Sequence, residues 1–180
     1  IDTATGRATA FDPGADGWVW TLALSADGAL LYAGGDFTRI GGQDRERIAA
    51  IDTATGRATA FDPGANGEVA ALALSADGAL LYAAGDFALM GGQARRYVAA
   101  IDTATGRATP FAPDADYRVR ALALSADGAV LYAGGDFTRI GGEDRERIAA
   151  IDTATGRAIP FDPGADDWVR TLALSADGAV

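Results

Sequence analysis

Cysteine and histidine are both absent from the 180 residues, and methionine occurs once. Without cysteine there is no disulfide framework and no thiolate nucleophile. Without histidine the chain lacks the commonest general base, the commonest zinc ligand and any serine–histidine nucleophilic pair. No apolar run approaches the roughly 20 residues that carry a helix across a bilayer. No secretory leader is visible; the sequence starts at Ile1, inside a repeated motif. Basic residues are outnumbered, 15 Lys and Arg against 25 Asp and Glu, for a net charge of −10. That balance disfavours DNA, RNA and anionic lipid, which are bound through clustered cations. It is compatible with a cationic partner; a protein or a glycan is the expected partner class, with no nucleic acid and no membrane insertion.

What the sequence does contain is one motif, again and again. "IDTATGRA" begins at Ile1, Ile51, Ile101 and Ile151, and "LALSADGA" at Leu22, Leu72, Leu122 and Leu172. The period is 50 residues without insertion or deletion, giving repeats 1–50, 51–100, 101–150 and a partial 151–180. No linker interrupts them, so the chain reads as one repeat domain. With 49% hydrophobic residues it can pack a core.

Each period predicts four short strands. Val19–Ser25 is the first, with Leu22 and Leu24 on one face and Val19, Thr21 and Ala23 on the other. Asp27-Gly28 signals a hairpin turn into the second, Leu30–Phe37. After the longer loop "TRIGGQDRE" comes the third, Arg47–Asp52. "TATG" then turns into the fourth, Arg57–Phe61. Gly, Pro and Asp-Gly breaks recur too often for a helical period to develop. Four antiparallel strands at this spacing describe a β-propeller blade; a β-solenoid is the alternative, with shorter coils. The expected fold is therefore all-β, a partial β-propeller of about 3.6 blades, with Leu72 in its core. Such an arc is completed either by further blades of a longer chain or by a second copy in a homo-oligomer.

"LALSADGALLYAGGDFTRIGGQDRERIAAIDTATG" resembles the bacterial delta-60 repeat, whose pattern runs L-A-x-x-x-D-G, then G-G-D-F, then G-G, then R-x-I-A-x-I/L-D. The resemblance covers essentially the whole chain. It implies propeller-like blades, an exported or cell-surface bacterial protein, and no catalytic residue to carry over. Ala84 departs from the pattern where Gly34 and Gly134 keep it. The first glycine is thus not needed for its backbone angles, whereas Gly35, Gly85 and Gly135 are expected to be.

Several motifs invite chemistry and yield to simpler readings. "GGDF" lacks the extra acidic residue and the α/β setting of a cyclase; Asp36, Asp86 and Asp136 are expected to accept backbone N–H bonds at a strand end. Gly41-Gly42 and its copies lack the Lys, Ser/Thr and helix of a phosphate loop. Asp12 and Asp16 in "FDPGADG" become Ala112 and Asn66 elsewhere, which argues for Asx turns over calcium. Asp44, Arg45, Glu46 and Arg47 read as a surface ion-pair cluster. No acidic pair is confined to one copy, so no catalytic site and no cofactor or metal site is assigned.

Nearly all the differences between the copies sit on one side. In a blade, the "SADGA" and "DTATG" turns share one face and do not vary. The second-to-third loop and the fourth-to-first connection share the other, and there the changes gather. Trp18, Val19 and Trp20 become Glu68, Val69 and Ala70, then Arg118, Val119 and Arg120 after Tyr117, then Trp168, Val169 and Arg170. Arg39 varies with them. Aromatic residues and arginines exposed together make good binding anchors. The candidate binding face is therefore Trp18, Trp20, Arg39, Glu68, Tyr117, Arg118, Arg120, Trp168 and Arg170. It belongs to a scaffold or to a glycan- or peptide-binding module. Burial of Trp18 and Trp168 against adjacent blades would instead make them packing residues.

Overall fold

The computed structural model of the protein describes residues 4, 5, 7 and 9–175. Its first blade holds β1 (Val19–Leu24), β2 (Leu30–Gly35), β3 (Arg39–Ile40), β4 (Gln43–Asp44) and β5 (Ile48–Asp52). The second holds β6 (Glu68–Leu74), β7 (Leu80–Asp86), β8 (Leu89–Met90), β9 (Gln93–Ala94) and β10 (Val98–Asp102). The third holds β11 (Val119–Leu124), β12 (Val130–Gly135), β13 (Arg139–Ile140), β14 (Glu143–Asp144) and β15 (Ile148–Asp152). Every pairing is antiparallel, and each blade has a three-stranded sheet in the order β1-β2-β5 or its counterpart. First strands of successive blades adjoin, with β6 between β1 and β11, so the first strand lies nearest the common axis.

The turns form for visible reasons. Asp27 accepts the Ser25 hydroxyl at 2.6 Å and the Ala29 N–H at 3.0 Å, while Gly28 takes φ 71°. Asp52 accepts the Thr55 N–H and hydroxyl, both at 2.8 Å. Both arrangements recur in the later copies. The Thr53 hydroxyl donates to the Gly28 carbonyl at 2.8 Å, tying the two unvarying turns to each other on one side of the sheet.

Blades pack face to face. Leu72, Leu74, Leu81, Ala83, Ala99 and Ile101 of the second blade's leading face meet Ala23, Leu30, Tyr32, Ile48 and Ala50 of the first blade's trailing face. The second and third blades repeat this contact. The Thr21 hydroxyl also accepts the Leu72 N–H across the gap, at 3.1 Å. The first blade's leading face keeps its own cluster of Ala33, Phe37, Ile40, Ala49 and Ile51. Leu22 there is 57% exposed, whereas its copy Leu72 is 9% exposed.

Several expectations need correction. The fourth strand shrinks to one bridge per blade, Ile51 with Ala58 and its copies; backbone bonds from the Asp52 N–H to the Arg57 carbonyl and from the Thr59 N–H to the Ala50 carbonyl hold the segment, and an arginine clamp adds to them. The loop "TRIGGQ" is itself a hairpin, β3 with β4, turning on Gly41 (φ 60°) and Gly42 (φ 77°). Two consecutive positive φ values are what a two-residue turn of this hand requires. Ile40, Met90 and Ile140 at its base are buried, so this variable loop also feeds the core.

The third strand starts at Ile48, because Arg47 takes φ 67°. Val19 belongs with Leu22 and Leu24, because the register slips by one residue between Val19 and Thr21; its copies Val69 and Val119 lie in the inter-blade cores. Gly35 has no positive φ; a side chain there would collide with the Trp18 carbonyl oxygen. A Cβ on Gly34 would come within 2.6 Å of Val69 Cγ1 of the next blade and 2.8 Å of Thr21 Cγ2; opposite Ala84 the counterpart of Thr21 is the smaller Ala71, which removes the second of these contacts. The lone first strand that the repeat predicts near Val169 is absent: residues 168–175 form no strand, and 176–180 lie outside the described residues. The fourth-strand segment expected at the start of the chain likewise includes residues outside those described.

Candidate functional site

Trp20, Ala70 and Arg120 are the same residue of successive blades, and each is the extra residue of a β-bulge. A bulge bends the strand and re-aims one side chain. Here the re-aimed position is among the most varied of the repeat: Trp20, Ala70, Arg120, and Arg170 in the fourth unit. These four converge with Glu68 and Arg118 around one depression of ≈ 350 Å³ beside the inner strands.

Charges in this depression are paired across and within blades. Arg118 forms an ion pair with Glu68, its own counterpart in the preceding blade. Arg120 Nε and Nη2 donate to the two carboxylate oxygens of Asp136 at 2.5 and 2.7 Å. Donating to Asp136 holds the Arg120 guanidinium pKa above its ordinary value. Arg120 and Arg170 both lie over the Trp168 ring, 5.3 and 5.9 Å from its centroid. Trp18 stacks on Trp20 with centroids 5.6 Å apart, and Tyr117 leans on Tyr97 at 6.3 Å. Trp18 is 70% and Trp168 53% exposed, so neither packs as a core residue.

Of the residues singled out from the sequence, Trp20, Glu68, Arg118, Arg120 and Arg170 line the depression, and Trp18 and Trp168 flank it through stacking. Tyr117 neighbours Arg118 and stacks with Tyr97. Arg39 does not join them. It sits on the β3–β4 hairpin, 3.7 Å from Asp44 and bonded to the Gly42 carbonyl. Ala70 and Asp136 were missed. Ala70 lines the depression as well. Asp136 was expected to accept backbone N–H groups but takes Arg120, because the bulge brings position 120 over the strand end. In the first blade Trp20 replaces that arginine, and Asp36 lies 3.6 Å from Arg47 Nε.

The acceptor of backbone N–H groups is Asp16 instead. Its Oδ1 takes Thr38 N–H at 2.8 Å and Arg39 N–H at 2.9 Å, and its Oδ2 takes the Thr38 hydroxyl at 2.7 Å. The Thr38 hydroxyl and these N–H groups hold the Asp16 carboxyl below its ordinary pKa. These bonds also put the two variable connections on one side of the blade. In the second blade Ala88 has no hydroxyl, and neutral Asn66 serves with Oδ1 alone.

The arginines of "DRER" do form ion pairs, Arg45 with Asp62, Arg47 with Asp36, Arg145 with Asp162 and Arg147 with Glu146, but they also bond backbone carbonyls. Arg45 donates to the carbonyls of Asp44 and Thr59, clamping the outer segment, as Arg95 and Arg145 do in their blades. Arg47 reaches the Ala65 carbonyl on the way to the next blade, at 2.9 Å, and Arg147 reaches that of Ala165. Tyr97 stands at this position in the second blade and meets Tyr117.

Larger depressions, ≈ 480 and ≈ 410 Å³, open between blades on the unvarying side. Both are lined by the same motif residues, and Asp27 and Asp77 there are already occupied by their own turns. Among the described residues no cluster of three or more acidic side chains is arranged to hold a metal ion.

A comparison with curated protein sequences finds no match. Residues 8–38 match the family model of the WD domain, G-beta repeat. Among solved structures the chain is similar to the WD40 repeats of RRP9, with a TM-score of 0.62 and 17% identity over 88% of this chain and 42% of that one. It is also similar to hydrazine synthase of Kuenenia stuttgartiensis, with a TM-score of 0.61 and 19% identity over 99% of this chain and 43% of that one. The chain thus spans less than half the length of either. Likeness at these identities is one of fold, and the fold is that of a partial β-propeller built from successive antiparallel blades.

Proposed function

We propose that the protein is a non-enzymatic interaction scaffold that binds a protein partner at the depression beside the inner strands. One observation carries this reading: the bulged position and its neighbours, which diverge between otherwise near-identical blades, come together as exposed Trp18, Trp20, Tyr117 and Trp168 among arginines. Tryptophan, tyrosine and arginine dominate the energetics of protein interfaces. The depressions of the unvarying side are lined by the same motif residues from blade to blade. The assignment of the repeats to the delta-60 type, and with it an exported or surface setting in a bacterium, rests on the repeat motif and extends the same reading.

A glycan-binding module is the second reading, favoured by the exposed Trp18–Trp20 pair, whose flat faces suit a sugar ring. Pull-down and glycan-array binding by the native chain and by a Trp18→Ala/Trp168→Ala variant separate the two. Loss of a captured protein in the variant supports the scaffold. Loss of an array signal alone supports the glycan module, and binding unchanged in both assays removes this surface from the function.

A further inference from the structure

Asn66 is the sole asparagine of the chain, and Gly67 follows it. Asparagine is among the thermally labile residues. It is most labile before glycine, whose bare Cα lets the next backbone nitrogen reach the side-chain carbonyl. The fold holds this pair in a defined setting. Asn66 is exposed, and its Oδ1 takes the N–H groups of Ala88 and Leu89 at 2.9 and 2.8 Å. Among the described residues Nδ2 has no hydrogen-bond partner, and neither has the Gly67 N–H. The amide that would leave and the nitrogen that would attack are therefore both unengaged. A Cβ on Gly67 would collide with the Asp86 carbonyl oxygen, so the fold itself keeps the labile pair.

We propose that Asn66 is a site of spontaneous modification, converted by water to aspartate rather than to isoaspartate. The Gly67 nitrogen gives its proton to solvent and attacks Asn66 Cγ. The Cγ–Nδ2 bond breaks, and Nδ2 takes up a proton and leaves as ammonia. The resulting succinimide opens when water adds to one of its two carbonyl carbons. Addition at Cγ breaks the new bond to the Gly67 nitrogen, returns a proton to that nitrogen and leaves an ordinary aspartate. Addition at the backbone carbonyl breaks the main chain there and leaves isoaspartate, with Cβ and Cγ now in the main chain. One water enters and one ammonia leaves, with no change of oxidation state. The Ala88 and Leu89 N–H groups decide between the two openings. They point at the oxygen on Cγ, where negative charge develops when Cγ is attacked, first by nitrogen and then by water. The fold already accepts the product: Asp16 Oδ1 holds the corresponding N–H pair at 2.8 and 2.9 Å, and Asp116 Oδ1 at 2.9 and 3.0 Å. Isoaspartate would lengthen a segment fixed on both sides, by the Ala65 N–H on the Glu46 carbonyl and by the pairing of Glu68 with Asp86.

Incubation of the whole chain at mildly alkaline pH, sampled by anion exchange and by mass-spectrometric peptide mapping, tests this. A more acidic species is expected to grow in, to co-elute with the Asn66→Asp variant, and to carry aspartate in large excess over isoaspartate at position 66. Asn66→Gln, whose longer side chain cyclises far more slowly, is expected to yield none of it over the same interval. Circular dichroism, unchanged through the incubation, shows that the chain stays folded. The same chain incubated in denaturant, where no N–H pair is held on Oδ1, is expected to invert the ratio in favour of isoaspartate. Retention of the amide in the folded chain over an interval in which the unfolded chain loses it, isoaspartate as the main product of the folded chain, or one product ratio in both states overturns the inference.

Discussion

Glu68 and Arg118 occupy the same position of consecutive blades, 50 residues apart, and form an ion pair with each other. Opposite charges at one repeat position lock two near-identical units in order around the axis. Glu68→Arg sets two guanidinium groups together and is expected to cost about 1–2 kcal/mol for this partly exposed pair. The exchanged double variant Glu68→Arg/Arg118→Glu should recover most of it. Denaturant unfolding of the four species measures the coupling; additive losses would show that the pair does not act across the blade boundary.

One motif tested in two blades separates packing from sequence. Leu72 lies between blades and Leu22 on the leading face of the first. Leu72→Ala is expected to cost about 2–5 kcal/mol, and Leu22→Ala about 0.5 kcal/mol or less. Equal thermal shifts would contradict the face assignment.

The partnership of Asp16 with Thr38 makes a second pairwise test. Thr38→Ala alone leaves Asp16 Oδ2 without its hydroxyl partner and should lower the thermal midpoint. Adding Asp16→Asn recreates the arrangement of Asn66 with Ala88 and should restore part of the loss. A double variant less stable than Thr38→Ala would contradict this account of why the two positions change together.

Turn aspartates set the acid limit. The Ser25 hydroxyl and its copies hold Asp27, Asp77 and Asp127 below their ordinary pKa, and the Thr55 hydroxyl and its copies do the same for Asp52, Asp102 and Asp152. Folded-state values below the unfolded one mean that their stabilisation is complete above the unfolded value and disappears as pH falls through the folded one. The thermal midpoint should hold level down to about pH 5 and drop below about pH 4. A Ser25→Ala/Ser75→Ala/Ser125→Ala variant should show a shallower drop, because fewer of its carboxylates are depressed. Identical acid profiles for the two would place the acid sensitivity elsewhere.

Much of the fold could be read from strict repetition. Asp27-Gly28 and "TATG" announce their turns, and the alternation of Leu22 and Leu24 with Thr21 and Ala23 places two faces. The bulge could not be read: Trp20 is one residue too many in the pairing, yet nothing in "VWTLAL" marks it, and so Val19 was set on the wrong face. The fourth strand is shorter than "RATAF" suggests: backbone bonds between Asp52 and Arg57 and between Thr59 and Ala50 tie it to the third strand, and the Arg45 clamp takes the Thr59 carbonyl. At the site, aromatics and changing charges picked out residues that the structure gathers around one depression. Arg39 was drawn in because it varies, but it varies on a hairpin away from the inner strands. Ala70 lines the depression as well, but an alanine carries no chemical signal in the sequence.

The most direct measurement places a photo-reactive amino acid at Trp20 in one variant and at Ala54, in the unvarying "TATG" turn, in another, and compares what each captures from the same mixture of proteins. Covalent protein adducts from position 20 and none above background from position 54 are expected if the divergent side is the binding side. Adducts from position 54 alone, or equally from both, would contradict it.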